Sequence, residues 1–353
     1  MVLKGWAMPP GASFTKEVAG SDWFGMAMCD TQSFPELIKT CTPDSDSPEG
    51  RGGLPRGREA GVLSDHPGAA APGMRVLLAS EPGAADRPNE DFAAAVPGAV
   101  VLLDGAGYVP DSATGCVHGV AWYARTLGGL LAAGACDDRV PLPDLLSRGI
   151  ERVSRMHAGT CDLRHPATPS ATVIVARQRG GTLDYLVLCD SVLLLLRRAG
   201  EPCAITDTQL EETRTRLRPA ASLPAGTPEY DAAWQAYGRR LEAARNHPGG
   251  FWLAAADPGA AARAVTGSEP LAALSAVVLL SDGASRLADR FELATWAGIG
   301  TILTGEGPAG LIQRVRAAEA ADPRGERWPR GKIHDDATAV LWRIATGSEA
   351  VGY

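Results

Sequence analysis

From Met74 to Ile344 the chain alternates between two hydrophobic patterns: short, almost wholly apolar runs, and stretches whose apolar residues recur every three or four positions. The first pattern predicts strands at Met74–Ser80 (MRVLLAS), Gly98–Gly105 (GAVVLLDG), Ala171–Arg177 (ATVIVAR), Thr182–Asp190 (TLDYLVLCD) and Ser191–Arg198 (SVLLLLRR). Gly249–Asp257 (GGFWLAAAD), Ser275–Gly283 (SAVVLLSDG) and Ala337–Ile344 (ATAVLWRI) add the last ones. Strands apolar on both faces belong between two covering layers. Val117, Val120, Ala121, Ala124, Leu127 and Leu131 fall at helical spacing, as do Leu142, Leu145, Leu146, Ile150 and Val153; a further helix is expected near Leu311–Ala320. A polar helical zone from Thr208 to Asn246 reads as a flap. Strands cluster and helices come in pairs, which favours α+β layering over a doubly wound parallel sheet.

Residues 1–73 show neither pattern. Gly, Pro, Ser and Asp clusters, as in Thr42–Gly61, predict a disordered or weakly ordered tail. The ordered domain is expected over 74–345, with 346–353 a short C-terminal tail and Met74 an alternative start that would make the upstream region an over-extended reading frame. The formal net charge of −7 offers no global positive field for nucleic acid or an anionic membrane. No apolar run reaches the length of a membrane span, and the short apolar stretch Trp23–Met28, flanked by Asp22 and Asp30, is no signal peptide. Seven cysteines without a CxxC pair argue for free thiols in a reducing, cytoplasmic setting, against both a disulfide framework and a zinc ribbon.

The chemistry lies in four acidic sites at or beside strand ends: Asn89-Glu90-Asp91, Asp104-Gly105, Ser281-Asp282-Gly283 and Asp335-Asp336. A glycine after a strand lets the backbone turn sharply while the carboxylate projects outward. Each site alone reads as a turn or a solvated loop, and only a fold brings such distant segments together. Oxygen ligands at four such ends suit Mg²⁺ or Mn²⁺, and no histidine or cysteine accompanies these motifs at zinc spacing.

In order and context these motifs resemble the metal-dependent Ser/Thr protein phosphatases of type 2C, in their bacterial form. The carrying residues are Arg87 before Asn89-Glu90-Asp91, DGAG at Asp104–Gly107, SAT at Ser170–Thr172, CDS at Cys189–Ser191, SDG at Ser281–Gly283 and DDAT at Asp335–Thr338. The resemblance spans roughly Met74–Ile344 and implies an αββα four-layer sandwich, two central, mostly antiparallel sheets flanked by paired helices. It implies hydrolysis of phosphoserine or phosphothreonine by a water activated between two Mn²⁺ or Mg²⁺ ions, with a third ion allowed. Metal ligands would be Asp91, Asp104, the Gly105 carbonyl, Asp282 and Asp335; Arg87 would grip the substrate phosphate, and Glu90 and Asp91 would order water or ligate. Asp162 is the nearest candidate for a third ion.

The pattern departs from the family where Arg87 stands one residue closer to the acidic pair, where Tyr108 replaces a glycine, and where Cys189 and Val192 alter the hairpin. Arg125 is the other candidate arginine. Of the histidines, His334 adjoins the site and is a candidate general acid, whereas His118 and His157 read as packing or surface residues. Phe251 and Trp252 are expected in the core, with Arg245 and Asn246 at the cleft. The partner is a phosphorylated protein or a small phosphate ester, with neither nucleic acid nor membrane. Two other functions fit the same pattern: a non-catalytic regulatory module of this fold, and a small-molecule phosphatase of a biosynthetic pathway.

Overall fold

A computed structural model describes residues 14–18, 74–106, 114–219 and 227–345; the remainder of the 1–73 tail and the 346–353 tail lie outside the described residues. In chain order the strands are β1 (Phe14–Val18), β2 (Arg75–Glu81), β3 (Phe92–Val96), β4 (Ala99–Leu103), β5 (Gly105–Ala106), β6 (Ser170–Ala171) and β7 (Val173–Arg179). They continue with β8 (Thr182–Leu188), β9 (Val192–Arg197), β10 (Cys203–Ile205), β11 (Val265–Pro270), β12 (Leu274–Leu280) and β13 (Ala337–Arg343). The helices are α1 (Val120–Gly134), α2 (Leu142–His157), α3 (Gln209–Leu217), α4 (Pro228–Ala243), α5 (Asp282–Asp289) and α6 (Trp296–Ala321).

Two antiparallel sheets stack face to face. One runs β1-β2-β13-β12-β9-β10 and the other β11-β8-β7-β4-β3. Alternation along the central strands explains why they are apolar throughout. In β4, Val100 and Leu102 point between the sheets, whereas Ala99, Val101 and Leu103 face α1 and α2. In β12, Val277 and Leu279 meet the other sheet, while Ala276, Val278 and Leu280 pack under α5 and α6. Each strand therefore buries both faces, and the layers read αββα. The sandwich expected from the sequence is the one observed.

Three departures have local causes. Gly249–Asp257 forms no strand: isolated bridges pin Phe251 to Arg245 and Ala254 to Ala171, and a 3₁₀ turn begins at Pro258. Trp252 and Phe251 are buried as expected, but in different clusters, so this segment stitches two cores together. The polar zone resolves into α3 and α4; α3 is tied down by Arg214, whose guanidinium meets Asp190 at 3.2 Å, and does not hang free as a flap. In α6, Gly307 (φ 76°) breaks the helix just before Pro308.

Sequence patterning places no strand before Met74, yet β1 pairs antiparallel with β2 from Phe14↔Ser80 to Val18↔Val76. Five residues are too short for a period to register. Among the described residues, a chain beginning at Met74 loses this edge pairing and the contact of β1 with α6, and it is expected to melt within a few degrees of the full chain with unchanged turnover. Aggregation of the shortened chain would show instead that β1 protects the β2 edge.

Candidate active site

Loops at one end of the sandwich carry the acidic motifs, and close backbone approaches hold them together. A Cβ on Gly105 would lie 2.7 Å from the Glu90 carbonyl oxygen, and one on Gly283 only 2.0 Å from that of Asp336. These glycines are what let the DG and SDG turns touch the neighbouring acidic loops. Asp104 is anchored from behind: its N–H donates to the Thr172 hydroxyl (3.2 Å) and its carbonyl accepts from the Thr172 N–H (2.9 Å). Thr172 in turn shares a 2.6 Å hydrogen bond with Ser191. The SAT and CDS motifs thus act as a buttress behind Asp104.

The four aspartates converge. The Asp282 N–H, at the start of α5, donates to Asp104 Oδ2 at 3.2 Å. Burial raises the Asp104 carboxyl well above the usual carboxylate range, and Asp91, Asp282 and Asp335 push it further. Asp335 is raised to about 6 by burial and then by Asp282, against the opposing pull of Lys332 and Arg286. Asp91 is pushed up to about 8, chiefly by burial. Both of its carboxylate oxygens are buried and without a hydrogen-bond partner. The neighbouring hydroxyls of Thr338 and Ser281, which temper that rise, also bond Ser80 and the Thr338 backbone N–H.

Asp335 and its neighbour Asp336 play different parts. Asp336 accepts from the N–H groups of Gly83 and Glu90, both at 2.7 Å, and so clamps the loop that delivers Glu90 and Asp91. Asp335 faces side chains: Arg286 at 2.9 Å and Lys332 at 2.7 Å. Arg286 also holds the fully buried Glu319 at 2.6 Å.

The remaining candidates separate. Arg87 is exposed at the rim, and its charge acts on Glu90, whose carboxyl is raised first by burial. Arg125 is engaged with the Asn89 carbonyl at 3.2 Å. His334 binds Glu319 through Nδ1 at 2.8 Å, and Asp162 Oδ1 caps the Arg164 N–H. Arg245 reaches the Pro166 carbonyl and Ser170, and Asn246 braces the Leu253 N–H. His118 and His157 lie in a separate cluster with two cysteines.

Lys332, Asp190 and Arg214 escaped the sequence reading. Burial would depress the Lys332 ammonium, but Asp335, Asp104 and Asp282 outweigh it and hold it well above its ordinary range. Asp190 is raised by burial and by Asp282, and Arg214 opposes that rise. Asp190 stood in the CDS motif; nothing local marked Lys332.

A model of the protein phosphatase 2C family matches residues 84–304, more than half of the chain. The chain belongs to the protein phosphatase 2C family. As a member it is a phosphatase, and the match includes Asp91, Asp104 and Asp282. Among solved structures it is similar to the Mycobacterium tuberculosis serine/threonine phosphatase PstP, also solved with two manganese ions, at 19% identity and a TM-score of 0.46 over 77% of this chain and 99% of that one. The phosphatase MsPP of Mycobacterium smegmatis, solved with cacodylate, is 17% identical (TM-score 0.46; 76% and 98% covered). Stp1 of Staphylococcus aureus is 14% identical (TM-score 0.45; 83% and 100% covered). No curated protein matches this phosphatase.

Proposed function

We propose that this phosphatase hydrolyses phosphoserine and phosphothreonine in proteins, using two Mn²⁺ or Mg²⁺ ions held by Asp91, Asp104, the Gly105 carbonyl, Asp282 and Asp335. The observation that carries it is Asp91: two buried, unpartnered carboxylate oxygens amid three other aspartates. Such a group is costly in a metal-free fold and is satisfied by a cation. The donors are all oxygen, which fits hard ions. When bound, such ions acidify water and neutralise charge on the phosphoryl oxygens.

Around them the chain's own groups have distinct tasks. Asp336 positions the Glu90-Asp91 loop through its two backbone contacts. Glu90, half-buried beside that loop, orders water. Arg87, exposed and three residues away, meets the incoming phosphate; Lys332 adds a second cation and must release Asp335 Oδ1 for that oxygen to ligate. The thiols of Cys116, Cys161, Cys189 and Cys203 form no disulfide, which fits a reducing cytoplasm, and no described helix is long and apolar enough to cross a membrane.

A matched pair tests the assignment within the Asp335-Asp336 motif. Asp335→Asn is expected to raise the Mn²⁺ requirement steeply and cut turnover on a phosphopeptide. Asp336→Asn keeps the metal ligands but sets an amide against a backbone N–H, so it is expected to lower the melting temperature and reduce activity only about 10–100-fold. Equal, severe losses with the same Mn²⁺ dependence would refute the division of roles. Screening sugar and nucleotide phosphates beside phosphopeptides decides the substrate class.

A further inference from the structure

Among the described residues, the one set of His, Cys, Asp or Glu whose ligand atoms all lie within 4.8 Å of one another is not the aspartate cluster. It is Cys116, His118, His157 and Cys161. Cys116 and His118 precede α1, His157 is the last residue of α2, and Cys161 lies in the turn after it. We propose that these four side chains form a separate metal site that binds one Zn²⁺ in tetrahedral coordination by two thiolates and two imidazole Nδ1 atoms.

The distances carry the argument. Zn–S bonds of about 2.3 Å and Zn–N bonds of about 2.05 Å at tetrahedral angles require S···S edges near 3.8 Å and S···N edges near 3.6 Å. Here the sulfurs are 3.4 Å apart. Cys116 Sγ lies 3.7 Å from His118 Nδ1 and 3.6 Å from His157 Nδ1, and Cys161 Sγ lies 3.3 Å from His118 Nδ1. These edges leave a central space of the size that Zn²⁺ fills. Two thiolates and two neutral imidazoles around Zn²⁺ sum to zero charge, so the centre needs no further counter-ion.

The surroundings preorganise it. Trp122 of α1 stacks on His118 (centroids 4.3 Å) and packs against His157 (5.1 Å), holding both imidazoles in place. The His118 N–H donates to Cys116 Sγ at 3.4 Å, and the Thr160 hydroxyl lies 3.5 Å from Cys161 Sγ. Desolvation raises the Cys161 thiol, but the Thr160 hydroxyl, the Val117 N–H, Cys116 and His157 outweigh it and bring the thiol below its ordinary range, while burial raises Cys116. The Asp162 N–H bonds the Gly115 carbonyl at 2.7 Å, tying the two ligand-bearing turns together. The metal would thereby staple the approach to α1 onto the exit of α2, and its binding energy would add to the stability of the fold.

The test uses the full chain, purified under reducing conditions, with zinc measured by mass spectrometry. About one zinc per chain is expected, retained in Asp104→Asn and lost in Cys161→Ser. If Cys161→Ser fails to fold, Co²⁺ added to the stripped wild-type chain keeps the proposal testable. It should give intense visible d–d bands with thiolate charge transfer, bleached by added Zn²⁺. Zinc below about a tenth per chain together with only weak, octahedral Co²⁺ absorption would overturn the site. So would zinc lost in Asp104→Asn but kept in Cys161→Ser, or a Cys116–Cys161 disulfide persisting under reducing conditions.

Discussion

Asp104→Asn is expected to lower Mn²⁺-dependent kcat/KM on a phosphopeptide by about a thousandfold or more, while raising the melting temperature of the Mn²⁺-free protein. The substitution is nearly isosteric. It preserves the backbone bonds to Thr172 and leaves an oxygen to accept the Asp282 N–H. What it removes is the negative charge against which Asp91, Asp282 and Asp335 crowd. Without a cation the fold must bear that charge or take up a proton to neutralise it, so its loss removes a cost; with a cation it belongs to the ligand set. Opposite signs in stability and activity are therefore the signature of a metal-holding carboxylate, as against a structural one. Calorimetric titration of Mn²⁺ and thermal melts with and without Mn²⁺ check both halves. Wild-type protein should gain roughly 2.7 kcal/mol at a hundredfold excess over Kd, and Asp104→Asn should gain almost none. Absence of Mn²⁺ binding by the wild-type protein at millimolar concentrations would sink the two-metal reading in favour of a non-catalytic module. Because the Cys-His tetrad would also respond to chelators, Mn²⁺ titration into zinc-replete protein is the cleaner measurement.

The second large effect is a reversal of pH dependence. Asp91 is pushed up to about 8 and Asp335 to about 6 in the folded chain, both above their unfolded values near 3.8. A raised carboxyl binds its proton more tightly when folded, so its contribution to stability is complete below pH ~4 and is lost as pH rises through the folded value. For Asp91 the ceiling is about 6 kcal/mol, at ~1.4 kcal/mol per unit, and coupling among the aspartates makes the sum less than additive. Asp322 acts oppositely: against burial, the N–H groups of Trp328, Arg327 and Glu326 and the Arg330 guanidinium hold it at about 2, so its contribution is lost only in strong acid. The Mn²⁺-free protein should accordingly be most stable near pH 4–5 and lose several degrees of melting temperature by pH 8. Saturating Mn²⁺ should flatten or invert that slope, because the cation competes with protons for the same oxygens. Melting curves from pH 4 to 9 with and without Mn²⁺ decide it. A Mn²⁺-free protein whose stability rises steadily to pH 8 would show that Asp91 is charged and compensated in the fold.

The sequence alone determined the layers and the ends of the strands. Burial on both faces writes itself locally: Val277 and Leu279 serve one core and Ala276, Val278 and Leu280 another, so the run Ala276–Leu280 is apolar throughout, and α1 and α2 show the helical period for the same reason. Asp104-Gly105 and Ser281-Asp282-Gly283 were legible because a turn residue directly follows an apolar strand. Elements whose stabilisation is not local were not legible: β1, β3, β10 and β11 are short or polar and hold by pairing with longer neighbours. Side-chain meetings across the fold left no mark either. The hold of Lys332 on Asp335 depends on where the loop before β13 lies, and the Asp336 clamp on the Gly83 and Glu90 backbones spans roughly 250 residues of chain. Cys116 and His157 are 41 residues apart, and only the packing of α1 against α2 converts two surface-looking histidines and two scattered thiols into one tetrahedron. Hydrophobic periodicity records which face of an element is covered; it carries no information on which polar atoms from other elements arrive there, and that was decided by the tertiary structure alone.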